Sequence, residues 1–264
     1  MSEERFLQLC ADKLEEMILA GGPEIIAAFI GEPVLGTGNI VPPQQGYWEK
    51  IQALLQKCDT LLISDEVTTG FGRLGTLFGS DHDGMKPNLI TMAKGLTSAY
   101  APLSGVIVSQ KVWRVLEQGS DTYGSIGHRW TYSSHPACAA AGVAKLEIVN
   151  ELDLVANAGE VGAYFKKAMA DAVGDNCLLG EVRGEGLMAA IEFVRVQDDW
   201  VFFDASEKVG PRITAALLDK GVIGRAMPQG DILGLAPPLC PTREEADTIV
   251  AATKDTVEAV TATL

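Results

Sequence analysis

Lys94 is the residue of this sequence with the clearest potential for chemistry. It ends an apolar run that begins at Leu89, and Gly95 follows it at once. A strand that ends in a lysine followed by glycine places the amine at the strand end, where few neighbouring side chains can shield it. Burial disfavours the charged form of a lysine, and a neutral amine attacks carbonyl compounds to form a Schiff base. We therefore predict nucleophilic amine chemistry at Lys94, with a solvated loop lysine as the alternative.

Asp65 stands in a similar position at the end of a second apolar run, which begins at Leu61. An aspartate at one strand end and a lysine at a neighbouring strand end form the pair that pyridoxal phosphate chemistry needs. Taken alone, an aspartate that ends a strand is usually a turn residue or a helix cap. The functional interpretation therefore rests on the conjunction of Asp65 with Lys94.

The elements that would position these residues alternate between helix and strand. This alternation predicts an α/β fold with right-handed crossovers and a mainly parallel sheet. We expect a large domain over 1–150 and a smaller α+β domain over 151–264. Thr242 and Glu245 form a capping box for the last helix. The predicted helices are 3–20, 47–58, 135–151, 153–172, 206–220 and one from 243, and the predicted strands are 25–30, 61–65, 89–93, 105–109, 187–193, 222–226 and 232–236.

Composition excludes several classes of function. The formal net charge of -14 argues against nucleic acid or an anionic membrane as a partner, because both require clustered lysine and arginine. The three histidines have no metal-ligand spacing with cysteine or carboxylates, so no metal site is predicted. The five scattered cysteines are typical of reduced thiols in a cytoplasmic protein. The N-terminal residues lack the character of a signal peptide, and no apolar stretch reaches the roughly 18 residues of a membrane span.

A glycine-rich segment, Gly70 to Gly75, matches the G-x-G-x-x-G pattern of dinucleotide-binding loops. Such a loop requires a helix to begin directly after it, so that its amides meet the pyrophosphate. Residues 76–81 do not read as the start of a helix. We therefore predict that these glycines are turn residues.

Several longer motifs lie at residues 32–43, 62–73, 87–98, 131–136 and 182–186. They resemble the class III pyridoxal-phosphate aminotransferases, and within them the ω-amino-acid or amine:pyruvate transaminases. The similarity runs through essentially the whole chain, and the stretch from the aspartate to the lysine is its most specific part. The resemblance implies the fold-type I large domain, in part, with a smaller C-terminal domain.

The resemblance also implies roles for individual residues in pyridoxal phosphate binding. Lys94 would form the internal aldimine and then move a proton between the substrate carbon and the cofactor carbon. Asp65 would bind the pyridine nitrogen. Val67 would pack on one face of the ring. Trp130 and Thr131 would reach the cofactor phosphate of the neighbouring subunit, which implies a homodimer.

Two further roles have ordinary structural alternatives. The resemblance places Glu32 near the ring hydroxyl, although it could simply cap a loop. It assigns Arg225 to the substrate carboxylate, which a guanidinium holds bidentately. Arg225 could instead be a surface ion-pair residue, with Arg183 or Arg73 as alternatives for an anion contact.

The chain departs from the family in two respects. It resembles only the part that runs from the middle of the large domain to the C-terminus, without the Gly/Ser phosphate loop and the ring-stacking aromatic residue. Arg129 stands where the family usually has glycine, and it could obstruct the loop or add a phosphate contact.

The expected activity is transfer of an amino group from an amine or ω-amino acid to pyruvate or a similar keto acid. The alternatives are a catalytically incomplete fragment, or decarboxylation or an internal amino shift on the same fold.

Overall fold

The computed structural model describes residues 1–125, 127 and 130–264, and within these residues eight strands form two four-stranded sheets. The strands are β1 (Ala28–Gly31), β2 (Leu61–Asp65), β3 (Leu89–Met92), β4 (Gly105–Val108), β5 (Leu179–Glu185), β6 (Met188–Phe193), β7 (Arg225–Ala226) and β8 (Ile232–Leu235). The first sheet has the order β1-β2-β3-β4, and the second has the order β5-β6-β8-β7.

Eight α-helices lie in the same described ranges, and none of them is both long and apolar enough to cross a membrane. Short 3-10 helices occur at Pro23–Ile25, Lys94–Leu96 and Ala205–Glu207. The α-helices are α1 (Glu3–Gly21), α2 (Tyr47–Lys57), α3 (Gly79–His82), α4 (Gln110–Tyr123), α5 (Pro136–Glu151), α6 (Leu154–Val173), α7 (Val209–Asp219) and α8 (Arg243–Thr261).

The chain forms two compact units, each with its own sheet. The second unit contains two short segments from the first half of the chain in addition to the C-terminal residues. The predicted division into domains 1–150 and 151–264 stays a prediction. The first unit comprises Met1–Pro33, Pro43–Phe71 and Phe78–Glu151, and the second comprises Val34–Pro42, Gly72–Leu77 and Leu152–Leu264.

The first sheet is mixed. Strand β2 pairs in parallel with β1 and with β3, whereas β4 runs antiparallel to β3. Parallel strands place their carboxyl ends at one edge of the sheet, which is where α/β proteins position ligand-binding residues. The predicted α/β class is confirmed, with the antiparallel strand β4 as an addition to the mainly parallel arrangement.

The predicted strand 25–30 is wrong in its start and in its burial. Residues Pro23–Ile25 form a 3-10 turn, and the strand begins only at Ala28. Proline fixes its own φ and favours the first position of a helical turn, so it delays the strand. Ile30 is 55% exposed, and no residue of this strand is fully buried, so the expected burial on both faces is absent.

The remaining predicted elements begin or end within about three residues of the observed ones, an ordinary uncertainty for helix and strand boundaries. The capping box of α8 is confirmed, since Thr242 accepts from the Glu245 backbone and Glu245 accepts from the Thr242 backbone. Helix α4 and strand β5 were not predicted. No residue of α4 is buried, although Val112, Val115 and Leu116 recur at helical spacing and were a usable signal for this helix. Strand β5 contains two glycines and three charged residues, which obscure its apolar pattern.

The core of the first unit lies between the two N-terminal helices and the sheet. Helix α2 contributes Trp48, Ile51 and Leu55, all at most 4% exposed, and α1 contributes Ile18. The Trp48 ring meets Phe29 of β1 edge-on, with ring centroids 6.4 Å apart. This packing holds β1 and β2 in register from one side and so fixes the positions of their ends.

The second unit is an antiparallel sheet covered by helices α6, α7 and α8. Strands β6 and β8 are almost entirely buried, and their apolar side chains meet Phe165 and Met169 of α6, neither of which is exposed. The buried residues of this core are all at most 9% exposed, and burial of apolar surface is the main favourable contribution to folding. It matches the smaller α+β region expected for the C-terminal part of the chain.

Candidate active site

The ends of three adjacent parallel strands bring the predicted ring-binding residues to one edge of the first sheet. Glu32 directly follows β1, Asp65 is the last residue of β2, and Lys94 stands two residues beyond β3. The register pairs Gly31 with Ser64 and Asp65 with Thr91, so the three strands end at almost the same level. The predicted placement of an aspartate and a lysine at neighbouring strand ends is therefore present within the first unit.

The Asp65 carboxylate is oriented through one of its two oxygens. Oδ1 accepts hydrogen bonds from the Val67 backbone N–H at 3.1 Å and from the Thr91 hydroxyl at 3.2 Å. Within the described residues, Oδ2 accepts no hydrogen bond. One oxygen therefore fixes the carboxylate and the other can accept from a cationic N–H, which is the chemistry that a pyridinium nitrogen requires.

Lys94 differs from the expectation in its environment. Its side chain is exposed in this chain rather than buried, and the residues from Ser98 to Tyr100 are exposed as well. The amine is nevertheless held, since Nζ donates to the Thr68 hydroxyl at 2.9 Å. The backbone of Lys94 has φ 30°, in a region that non-glycine residues rarely occupy.

Glu66 is a residue of the site that the sequence analysis did not single out. Its side chain is fully buried, and its two carboxylate oxygens accept from the Ser64 and Thr69 hydroxyls and from the Gly79 and Ser80 backbone N–H groups. The only signal in the sequence was its place between Asp65 and Val67. Glu66 ties the turn after β2 to the start of α3.

The glycine-rich segment forms turns, as predicted. The Gly70 N–H donates to the Glu66 carbonyl at 2.9 Å, and Phe71 and Gly72 both have positive φ. The expectation that no helix begins in 76–81 is wrong, because α3 begins at Gly79. Helix α3 is one turn long, however, and its first amides are occupied by Glu66.

Of the remaining predicted cofactor residues, Val67 lies close to Asp65, whereas Trp130 and Thr131 lie in a separate turn. Val67 is half-buried, and its backbone N–H donates to Asp65. Trp130 and Thr131 are exposed in the turn that precedes α5, where Trp130 and Ser133 exchange hydrogen bonds of 3.0 and 3.3 Å. Arg129 lies outside the described residues.

The three candidate arginines of the second unit have different environments. Arg73 donates from Nη1 to the carbonyls of Leu187 and Pro237, and burial lowers the pKa of its guanidinium. Arg225 lies in β7 and is exposed. Arg73 is therefore a structural residue, and Arg225 is the more accessible candidate for an anion.

Arg183 is also occupied by the protein itself. Its guanidinium donates to the carbonyls of Asn39 and Ile40 and pairs with Glu192 and Glu181. The alternative that Arg183 holds a substrate anion loses its support, because its donors serve the 34–42 segment and two carboxylates. No group of His, Cys, Asp and Glu side chains suited to a metal ion occurs in the part of the chain that the structure describes.

Comparison with known proteins now adds to this geometry. The family model described as Aminotransferase class-III matches residues 1–257. The chain belongs to this family. Class III aminotransferases are pyridoxal-phosphate-dependent enzymes, which agrees with the predicted cofactor.

Relatives of the class III chain carry transaminase names. This chain is 60% identical over 261 residues to the diaminobutyrate–2-oxoglutarate transaminase of Halomonas elongata. The match covers 99% of this chain and 56% of that relative. It is 40% identical over 249 residues to a probable gamma-aminobutyrate transaminase 4 of Oryza sativa subsp. japonica, covering 94% of the chain and 51% of that relative.

Solved structures agree with the fold. A transaminase from a study of directed evolution by ancestral reconstruction superposes with a TM-score of 0.98 at 64% identity, over 100% of this class III chain and 58% of the other. A thermostable omega transaminase mutant from Pseudomonas jessenii gives a TM-score of 0.93 at 38% identity, over 98% and 57% of the two chains. The chain thus spans between about half and three-fifths of the length of the relatives it matches, as the resemblance to only part of the family implied.

Proposed function

We propose that this chain carries the ring-binding side of an aminotransferase active site, with Lys94 as the residue whose amine binds the aldehyde carbon of pyridoxal phosphate. The observation that carries the proposal is the placement of Asp65 and Lys94 at the ends of adjacent parallel strands, with Asp65 already oriented through Oδ1. Bound pyridoxal phosphate supplies an electron sink for the negative charge that develops when the substrate carbon loses a proton.

The residues of the chain fit the ring end of that cofactor. Asp65 would accept the pyridinium N–H through Oδ2 and so keep the ring nitrogen protonated. Val67 would pack on one ring face, and Glu32 would lie near the ring hydroxyl. Once its amine is free, Lys94 would take a proton from the substrate carbon and deliver it to the cofactor carbon, because an exposed amine on a strand end can reach the reacting atoms.

The phosphate end of the site is proposed to be shared between subunits. Trp130 and Thr131 are exposed in their turn, so they can serve a neighbouring subunit rather than the strand ends of their own chain. We propose a homodimer on this basis. A cytoplasmic location stays a prediction from the sequence.

The proposed substrates are an amine or ω-amino acid as donor and a small keto acid as acceptor. The exposed Arg225 suits the acceptor's carboxylate. The relatives are named for diaminobutyrate, 2-oxoglutarate and gamma-aminobutyrate, all of which bear carboxylates. Pyruvate is our first choice of acceptor, and 2-oxoglutarate is the direct comparison.

The first experiment is a titration of the purified chain with pyridoxal phosphate, followed by absorbance. We expect a new visible band that borohydride reduction fixes as a mass increment on the peptide containing Lys94. Lys94→Ala should abolish the band, whereas Lys254→Ala, on the exposed face of α8, should retain it. Asp65→Asn should weaken cofactor binding by at least about tenfold, the lower end of the effect of one hydrogen bond to a charged group.

Activity then separates the candidate functions. Alanine formed from pyruvate, or glutamate formed from 2-oxoglutarate, identifies the acceptor, and loss of either product in Arg225→Ala supports its carboxylate role. A folded chain that shows no band at Lys94 contradicts the proposal. It would support the second candidate, a catalytically incomplete chain, which the coverage of only 56% of the Halomonas relative favours.

A further inference from the structure

The hydrogen bond between Lys94 and Thr68 links the two segments that carry the proposed chemistry. Nζ donates to the Thr68 Oγ1 at 2.9 Å, a normal length for such a bond. We infer that Thr68 is a positioning residue, whose hydroxyl holds the Lys94 amine at the strand edge before any cofactor is bound. The inference about cofactor capture rests on the proposed function, whereas the bond itself does not.

Thr68 is a fixed acceptor because both of its neighbours are restrained. On one side, the Val67 N–H donates to Asp65. On the other, the Thr69 hydroxyl donates to the buried Glu66 carboxylate at 2.5 Å. A hydroxyl carried by such a turn has a defined location, so it can select one position of the amine.

The Glu66 backbone adds a second restraint to the same turn. Its N–H donates to the Thr91 carbonyl at 3.0 Å, and its carbonyl accepts from the Gly70 N–H at 2.9 Å. The turn that bears Thr68 is thereby joined to β3, the strand that leads to Lys94. Acceptor and donor are therefore held on one framework.

The lysine is held at its backbone but not along its side chain. Its φ of 30° is in a strained region, and buried Leu96 and Thr97 anchor the 3-10 turn that it begins. Strain of this kind concentrates at functional sites. Because a lysine side chain has four rotatable bonds and this one is exposed, the amine would otherwise occupy many positions. The Thr68 hydroxyl removes that freedom at the amine itself.

Proton exchange at the Lys94 amine tests the bond without any cofactor. The ammonium signal in a nitrogen–proton NMR spectrum, assigned by its loss in Lys94→Arg, reports exchange with water. Thr68→Val keeps the shape of the side chain but removes the acceptor, and we expect exchange to accelerate about fivefold, the effect of one lost hydrogen bond. Thr68→Ser should restore the parent rate. The matched control Thr248→Val, at an exposed position of α8, should leave it unchanged.

The rate of pyridoxal phosphate capture tests the consequence. Thr68→Val should slow formation of the visible band about fivefold, and Thr68→Ser should restore it, in samples whose circular dichroism matches the parent. Unchanged exchange in Thr68→Val, or a failure of Thr68→Ser to restore it, overturns the inference. If the parent binds no cofactor at Lys94, the proposed function fails for this chain, and the exchange rates alone still decide the role of Thr68.

Discussion

Replacing Glu66 with glutamine is a sharp test of how the turn after β2 is held. The carboxylate is fully buried, and each oxygen accepts one backbone N–H. Oε1 accepts from Ser80 at 2.6 Å and Oε2 from Gly79 at 2.8 Å. The Ser64 and Thr69 hydroxyls complete the set at 3.3 and 2.5 Å.

The amide of glutamine has the same shape but only one acceptor oxygen. In either orientation its NH2 group faces a backbone N–H, which cannot rotate away, whereas the two hydroxyls can turn to accept. One bond to a charged acceptor is lost, at about 1.5–3 kcal/mol, and one buried donor is left without a partner, at about 1–3 kcal/mol. Because these costs overlap, we expect Glu66→Gln to lower the free energy of unfolding by about 3 kcal/mol.

Urea unfolding of the whole chain measures this difference. The urea midpoint should fall while the m-value stays constant, which shows that stability rather than compactness has changed. The matched control is Glu258→Gln in α8, whose partner Lys254 is 4.0 Å away on the surface. A pair of this kind contributes about 0–1 kcal/mol, so the control should remain close to the parent.

A loss below about 1 kcal/mol in Glu66→Gln, or one equal to that of the control, would refute the reasoning. It would mean that the four hydrogen bonds do not restrain the turn, and the argument that Thr68 is a fixed acceptor would lose its basis.

The remaining predictions concern a pair of glycines and one carboxylate. A Cβ on Gly162 of α6 would lie 2.4 Å from the Gly186 carbonyl, so Gly162→Ala should destabilise the chain by at least about 2 kcal/mol. Gly119→Ala, inside α4 with nothing within 4 Å, should instead stabilise it by about 0.5–1 kcal/mol, and thermal unfolding separates the two signs. A hydrogen bond from Arg195 is the main cause that lowers the pKa of Glu207 below its ordinary 4.5. The stability from this bond is present above pH 4.5 and is lost as the pH falls through the lower folded pKa. Glu207→Gln should therefore be less stable than the parent at neutral pH, and the gap in their unfolding midpoints should close in acid; a gap that persists there would contradict the assignment.

Local signals predicted most of the elements. The capping box at Thr242 and Glu245 involves residues three apart, so the sequence contains all that its geometry requires. The apolar runs that end at Asp65 and before Lys94 likewise predicted β2 and β3. The first strand was misplaced because Pro23 imposes a helical turn on a run that is apolar throughout.

Local sequence patterns could not predict the hydrogen-bond partners of the half-buried arginines. Arg73 meets the Pro237 carbonyl 164 residues away, and Arg183 meets Asn39 at a separation of 144 residues. Nothing near either arginine in the chain indicates a partner so distant. Their interpretation as possible anion ligands therefore changed once the structure showed their donors in use.

By itself, the sequence determined the family and most of the alternation of helices and strands, and it predicted which lysine and aspartate carry the proposed chemistry, because these depend on residue type and short-range pattern. Only the tertiary structure decided the environment of each residue. It showed that Lys94 is exposed yet held by Thr68, that Asp65 is fixed through one oxygen, and that Glu66 restrains the turn. Hydrogen bonds depend on distances of about 3 Å between atoms, and folding alone brings segments that are far apart in the chain to such distances.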